Sequence, residues 1–219
     1  MTLLAFARGP ALQAATLIMI AGIFWRLAGI LLLRRRVAHA AARNPFLLRL
    51  AGGAKTIVTR TLPRKNFWPR VATGVSLGWV MHVGLFIILF AGAPHIAVLH
   101  QITGLSWPNL PKGAIVVASA LTLAALVALL ARRLTHPVLR LLSNADDYIS
   151  WLLVFLPIST GILLSGETIA GYGTLLAVHI LSVEALMIWL PFGKLMHVAF
   201  VFAGRGVMGF NFARKGAAT

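Results

Sequence analysis

From Val178 to Gly216 the chain reads VHILSVEALMIWLPFGKLMHVAFVFAGRGVMGFNFARKG. A long apolar run carries one histidine near its start, His179, and another past a proline, His197. About 20 mainly apolar residues suffice for a transmembrane helix. An ionisable side chain inside such a helix is costly and by default has a function. The stretch therefore predicts a membrane helix over about 173–203, with Pro191 and Lys194 marking where its last turns leave the hydrocarbon.

The rest of the chain agrees with that reading. Of 219 residues, 59% are hydrophobic and the mean hydropathy is +0.90. Only 11% are charged, about half of the roughly 25% of a soluble domain, which excludes an ordinary soluble fold. Four more apolar stretches lie at about 11–33, 71–93, 114–131 and 148–166. The expected fold is one all-α integral membrane domain over residues 1–219, a bundle of five transmembrane helices. The first apolar stretch is too long for a signal-peptide core and reads as a retained helix.

The chain has 20 Lys and Arg against 4 acids, a formal charge of +16. The basic residues fall between and beside apolar segments, so topology explains them better than nucleic acid does. The basic segment 34–70 holds Arg34, Arg35, Arg36, Arg43, Arg49, Lys55, Arg60, Arg64, Lys65 and Arg70. The 132–147 connection adds Arg132, Arg133 and Arg140, and the tail adds Arg205, Arg214 and Lys215. The 94–113 loop has only Lys112, and the 167–172 loop has no base. The positive-inside rule then places the N-terminus outside, in the periplasm, and the C-terminus in the cytoplasm of a bacterial inner membrane. Segment 34–70, interrupted by Gly52, Gly53 and Pro63, is expected to form short surface helices that touch membrane lipid.

Two histidines on the second span answer those on the fifth. The two helices run antiparallel, so His95 pairs by depth with His179, and His82 with His197. On an unbroken helix, the 18 residues from His179 to His197 make five turns, put both on one face and separate them by roughly 27 Å. From His82 to His95 the 13 residues turn roughly 220°, which would point His95 away unless the backbone bends near Pro94. His100, 18 residues from His82, is a rival on spacing alone. Gly74 and Gly78 precede His82 on one face, open to a macrocycle or to helix packing. Two histidines from each of two membrane helices can hold haem iron from both faces. His39 and His136 lie in basic loops and read as solvated. With no cysteine, covalent c-type haem and a Cys-ligated iron–sulfur cluster are excluded from this chain.

The stretch quoted first resembles the last membrane helix of the respiratory nitrate reductase gamma-subunit family: an early His, an apolar run, P-F-x-K-L-x-H, then a basic tail. MHVGLFIILFAGAPHIAVLHQITGLSWPNLP, from Met81, is similar to that family's helix II. The nearest similarity is to the branch in transmembrane redox complexes of sulfur-metabolising bacteria, linked to multihaem cytochromes or to dissimilatory sulfite reductase. The resemblance covers nearly the whole chain. It implies a five-helix subunit with two haem b groups, or one, on two bis-histidine sites. It favours His95 over His100, because that branch spaces its helix II histidines 13 apart. Gly92 stands where the nitrate reductase subunit itself has its second histidine.

Five further residues enter as candidates. Arg26, on the cytoplasmic half of the first span, suits a haem propionate. Glu184, in the apolar part of the fifth span, suits proton movement or the steadying of a histidine or haem. Lys112, the sole base of its loop, resembles a lysine near the quinol pocket of the nitrate reductase relatives. Asp146 and Asp147 open the fourth span and suit an N-terminal capping role. The resulting expectation is an electron-transfer subunit with no catalytic residue of its own. Quinone, or an outer multihaem c-type cytochrome, would exchange electrons through the haems with a cytoplasmic iron–sulfur subunit, in either direction. A proton-coupled transporter and a haem-free anchor of a redox enzyme are the alternatives.

Overall fold

The computed structural model describes residues 1–33, 41–63, 65–166 and 171–217. Arg34, Arg35, Arg36, His39, Arg64 and residues 167–170 lie outside the described residues. Among the described residues the secondary structure is helical throughout. Helix α1 covers Leu3–Leu32, α2 Phe46–Thr59, α3 Trp68–Ala91, α4 Ala93–Thr103 and α5 Lys112–Thr135. Helix α6 covers Pro137–Leu142, α7 Ala145–Leu164, α8 Tyr172–Trp189 and α9 His197–Arg214.

Among the described residues six helical stretches are long and apolar enough to cross a membrane: Leu3–Leu32, Lys65–Ala91, Lys112–Thr135, Ala145–Leu164, Tyr172–Trp189 and Lys194–Arg214. The sequence predicted five. The extra one arises because the predicted 173–203 span is broken. Helix α8 stops at Trp189, and a 3-10 turn over Lys194–Met196 leads into α9. Pro191 cannot donate to the ladder, and its ring is fully buried against α1, where a Cβ at Gly22 would stand 2.5 Å from its Cγ. The break is thus seated in a notch that only glycine leaves open. The first helix also begins earlier than about 11: Thr2 caps it at Leu3, with the Ala5 amide donating to the Thr2 hydroxyl at 3.2 Å. Pro10 is absorbed by a π-helical turn over Ala7–Ala11.

Five of these helices stand in a row. Helix α1 packs on α8, α8 on α7, α7 on α5, and α5 on α3. Many large apolar side chains on the row point outward, among them Leu17, Phe24, Phe86, Leu89, Val117 and Leu121. Apolar exposure of that extent is foreign to a soluble monomer and suits lipid. Helices α3 and α8 are not among the closely packed helix pairs of the described residues; histidine rings instead bring α3 to the start of α9, through His82 and His197, and α4 to α8, through His95 and His179.

Helices α2 and α9 form a separate antiparallel pair. Gly52 and Gly53, expected to interrupt segment 34–70, lie inside α2 and form its contact face. A Cβ at Gly53 would stand 2.9 Å from the Gly206 carbonyl, and one at Gly209 would collide with Thr56. Close approach of small residues is the packing device here, as between membrane helices. The Arg49 guanidinium lies over the rings of Phe46 and Phe210, at 5.6 and 5.0 Å, each contact worth about 0.5–1 kcal/mol. The Arg43 amide donates to the Arg214 carbonyl at 3.0 Å, and Asn44 Nδ2 to the Ala213 carbonyl at 2.7 Å. These bonds tie the start of α2 to the end of α9.

Candidate cofactor site between two broken helices

Both helices that carry the histidines break between them. Helix α3 ends at Ala91, and Gly92 takes an extended conformation (φ −80°, ψ 125°) before α4 starts with Pro94 in its first turn. This bend removes the 220° mismatch. The His95 ring swings back against α3, and its Nδ1 lies 2.8 Å from the Ile88 carbonyl. A Cβ at Gly92 would stand 2.7 Å from that carbonyl and 3.2 Å from His95 Nδ1, so glycine is what lets the ring in. On the other helix, the break after Trp189 overturns the five-turn argument for His197. That residue reaches its place through the Lys194–Met196 turn, and its Nδ1 lies 2.9 Å from the Lys194 carbonyl.

The result is two facing pairs. His82 and His197 have ring centroids 6.0 Å apart with planes at 75°, and His95 and His179 have centroids 6.3 Å apart with planes at 40°. His100 and His136 are exposed and join neither pair. The carbonyls that hold the His82 and His95 rings, Gly78 and Ile88, are ten residues apart on α3, about 15 Å of helix, less than the roughly 27 Å expected of an unbroken helix from His179 to His197.

These dimensions fit an iron held between imidazoles. Two metal–nitrogen bonds of about 2 Å each, plus the rings' own radii of roughly 1 Å each, separate the centroids by about 6 Å. All four Nδ1 atoms are engaged. His82 Nδ1 lies 2.7 Å from the Gly78 carbonyl, and His179 Nδ1 lies 3.0 Å from Thr160 Oγ1. A carbonyl can only accept, so His82, His95 and His197 carry their proton on Nδ1. The Thr160 hydroxyl donates to the Leu156 carbonyl at 2.7 Å, so it accepts from His179 Nδ1 as well. Each ring thereby leaves Nε2 free to bind a metal, while its Nδ1–H donates the hydrogen bond that commonly orients haem and zinc histidines. Among the described residues no group of three or more His, Asp or Glu could hold a metal ion; the histidines meet as pairs.

Two hollows open at the His197 end. One, about 520 Å³, lies between α3, α5 and α7 and includes Gly74, Arg132, Trp151 and His197. The other, about 540 Å³, lies between α1 and the α8–α9 turn and includes Trp25, Arg26, Lys194 and His197. Arg26 and His197 thus line the same hollow. Arg132, which the sequence reading used only for orientation, reaches α3: a Cβ at Gly74 would stand 2.9 Å from its Nη1. Gly74 thus serves a guanidinium rather than a second helix backbone, and space around Gly78 is open.

The remaining candidates are placed less centrally. Glu184 is 3% exposed, and its Oε1 has no hydrogen-bond partner among the described residues. It lies five residues past His179, about 140° around α8, and bonds to none of the four histidines. Lys112 is the first residue of α5 and is exposed. The loop before it is tied to the end of α3 by the Leu110 amide on the Ala91 carbonyl at 2.9 Å, which sets it at the His95 end of the bundle. Asp147 does cap α7, in a capping box with Asn144. Asp146 does not. Its carboxylate reaches the α8–α9 turn instead.

Comparison with known proteins adds one relative. A protein of Nitratidesulfovibrio vulgaris (strain Hildenborough) is 28% identical over 221 residues, covering 98% of this chain and 96% of the relative. Its description is simply "Protein", so it contributes a shared length and no activity. No family model matches the chain, and no solved structure matches it.

Proposed function

We propose that this chain is a di-haem b-type membrane cytochrome of a respiratory redox complex, akin to the nitrate reductase gamma subunit. It would carry electrons between quinone, or an outer cytochrome, and a cytoplasmic iron–sulfur partner. The observation that supports this best is the pair of imidazole clamps at 6.0 and 6.3 Å, every ring fixed through Nδ1. Haem iron held by two histidines supplies reversible one-electron transfer and has no open position for oxygen chemistry.

The protein's own part is positioning and charge. His82 with His197 forms the inner site, and His95 with His179 the outer one. Arg26, Arg132 and Lys194 bring positive charge to the hollows beside His197, where the acidic edge of a haem would be neutralised. Lys112 stands at the outer end and suits a quinone headgroup. Glu184, buried between the depths of the two pairs, suits proton movement to or from that end.

Five of the six apolar helices cross the bacterial inner membrane in this reading, with the N-terminus outside. Helix α2 has 14 residues, about 21 Å of length, short of the roughly 30 Å hydrocarbon core. Its ends lead back to the basic ends of α1 and α3. Helix α9 lies antiparallel along it, tied by Arg43 and Arg214, and so stays on the cytoplasmic side.

The test is a dithionite-reduced minus oxidised spectrum of the purified chain with a pyridine haemochrome count. A b-type signal with two haems per chain is expected. A colourless protein in the intact native complex would sink the proposal and turn attention to the anchor or the transporter.

A further inference from the structure

The turn that carries His197 is held from a different helix. Asp146 Oδ2 accepts the Lys194 backbone amide at 2.9 Å. Asp146 Oδ1 accepts Ser150 Oγ at 2.9 Å and Trp189 Nε1 at 3.1 Å, and Trp189 Nε1 also lies 3.1 Å from Ser150 Oγ. One carboxylate thus joins the last residue of α8 to the first residue of the 3-10 turn, across the whole break. The neighbouring carboxylate holds the same lysine by its other end. Asp147 pairs with Lys194 Nζ, and with Arg133 Nη1 at 3.1 Å. Lys194 is therefore fixed by backbone and by side chain, and its carbonyl is what His197 Nδ1 donates to.

The linkage is directional. Without an acceptor at Asp146, the Lys194 amide loses a charge-assisted bond of the stronger kind, and the Leu190–Gly193 segment loses its bridge. The carbonyl that orients His197 is then held only through the Lys194 side chain on Asp147 and the turn's own bonds. Among the described residues nothing comparable joins Asp146 to the other pair, whose rings are set by Ile88 and Thr160.

We propose that Asp146 is the positioning residue of the inner histidine pair, acting through the Lys194 turn to hold His197 opposite His82. The spectroscopic part of its test rests on the haem reading above; the geometric part does not.

The full-length chain is compared with Asp146→Ala and Asp146→Asn by haemochrome count and redox titration. Loss of outer-shell support costs metal sites about 10- to 100-fold in affinity. Asp146→Ala is therefore expected to lose the inner haem, or to displace its midpoint potential, while the outer signal stays. Asp146→Asn, which keeps one acceptor oxygen, gives the same change in smaller measure. A second readout needs no haem. The chain has no cysteine, so His82→Cys with His197→Cys can be bridged by a short bifunctional thiol reagent, and His95→Cys with His179→Cys serves as the companion. Adding Asp146→Ala should cut bridging of the first pair several-fold and spare the second. Equal change at both pairs, or change at neither, would overturn the proposal. A wild-type chain without haem in which the first bridge still depends on Asp146 would bring down the cytochrome reading alone.

Discussion

His95 Nδ1 lies 2.8 Å from the carbonyl of Ile88, seven residues back along the chain. An unbroken helix cannot bring those two groups together, because residue i+7 stands two turns, about 10 Å, further on. The contact exists because the backbone unwinds at Gly92. Gly92→Ala should therefore act on the outer pair only. Its Cβ would meet both the carbonyl and the ring, an overpacking that costs about 1–3 kcal/mol. The expected result is loss of the outer haem signal with the inner one retained, read by low-temperature difference spectra.

The histidines themselves should separate into two classes. His82→Ala or His197→Ala is expected to leave one haem per chain, and so is His95→Ala or His179→Ala, with the complementary signal surviving in each case. His100→Ala should leave both. A variant at His100 that loses a haem while His95→Ala keeps both would reverse the assignment of the outer ligand.

Thr160 offers a gentler probe. Its hydroxyl donates to Leu156 and accepts from His179, and Thr160→Val removes the acceptor at nearly constant shape. Outer-shell losses of this kind weaken metal binding about 10- to 100-fold. Outer-haem retention should fall in that range and recover in Thr160→Ser. Equal retention in all three proteins would show that the hydroxyl does not support the ring.

Crossing number can be settled with reporters. A fusion after Gly216 should read as cytoplasmic, and one within the 104–111 loop as external. An external C-terminus would mean that α9 spans the membrane and that the α2–α9 pair has been misread.

That pair has its own test. Gly53→Leu places a large side chain against the Gly206 carbonyl, and Gly209→Leu places one against Thr56. Each should open the hairpin, seen as faster proteolysis between Arg43 and Thr61. Neither should remove the outer haem.

The sequence showed the helical class and the matched depths of the histidines well, because both follow from hydropathy and spacing. It failed where a helix stops short. Pro191 looked tolerable inside a long apolar run, and only its seat on Gly22, 169 positions away, makes the break there. Gly52 and Gly53 read as interruptions because their partners, Gly206 and Gly209, lie at the far end of the chain. Arg26 was legible as an isolated charge in an apolar helix. Arg132 was hidden in a basic cluster whose other members serve orientation. Asp146 sat where helix caps belong, and nothing local distinguishes it from Asp147, which does the capping.

Among the described residues, the row of helices from α1 through α8, α7 and α5 to α3 has two ends that do not pack closely on each other. The histidine pairs reach across the bundle elsewhere, from α3 to the start of α9 and from α4 to α8. A molecule held between the facing rings would tie α3 and α4 to α9 and α8, and any ligand that binds only the folded form adds to stability as its free concentration rises. On the proposed cytochrome reading, maturation would follow prosthetic-group supply: in a haem-starved cell the chain should reach the membrane with these helices untied and more open to proteolysis.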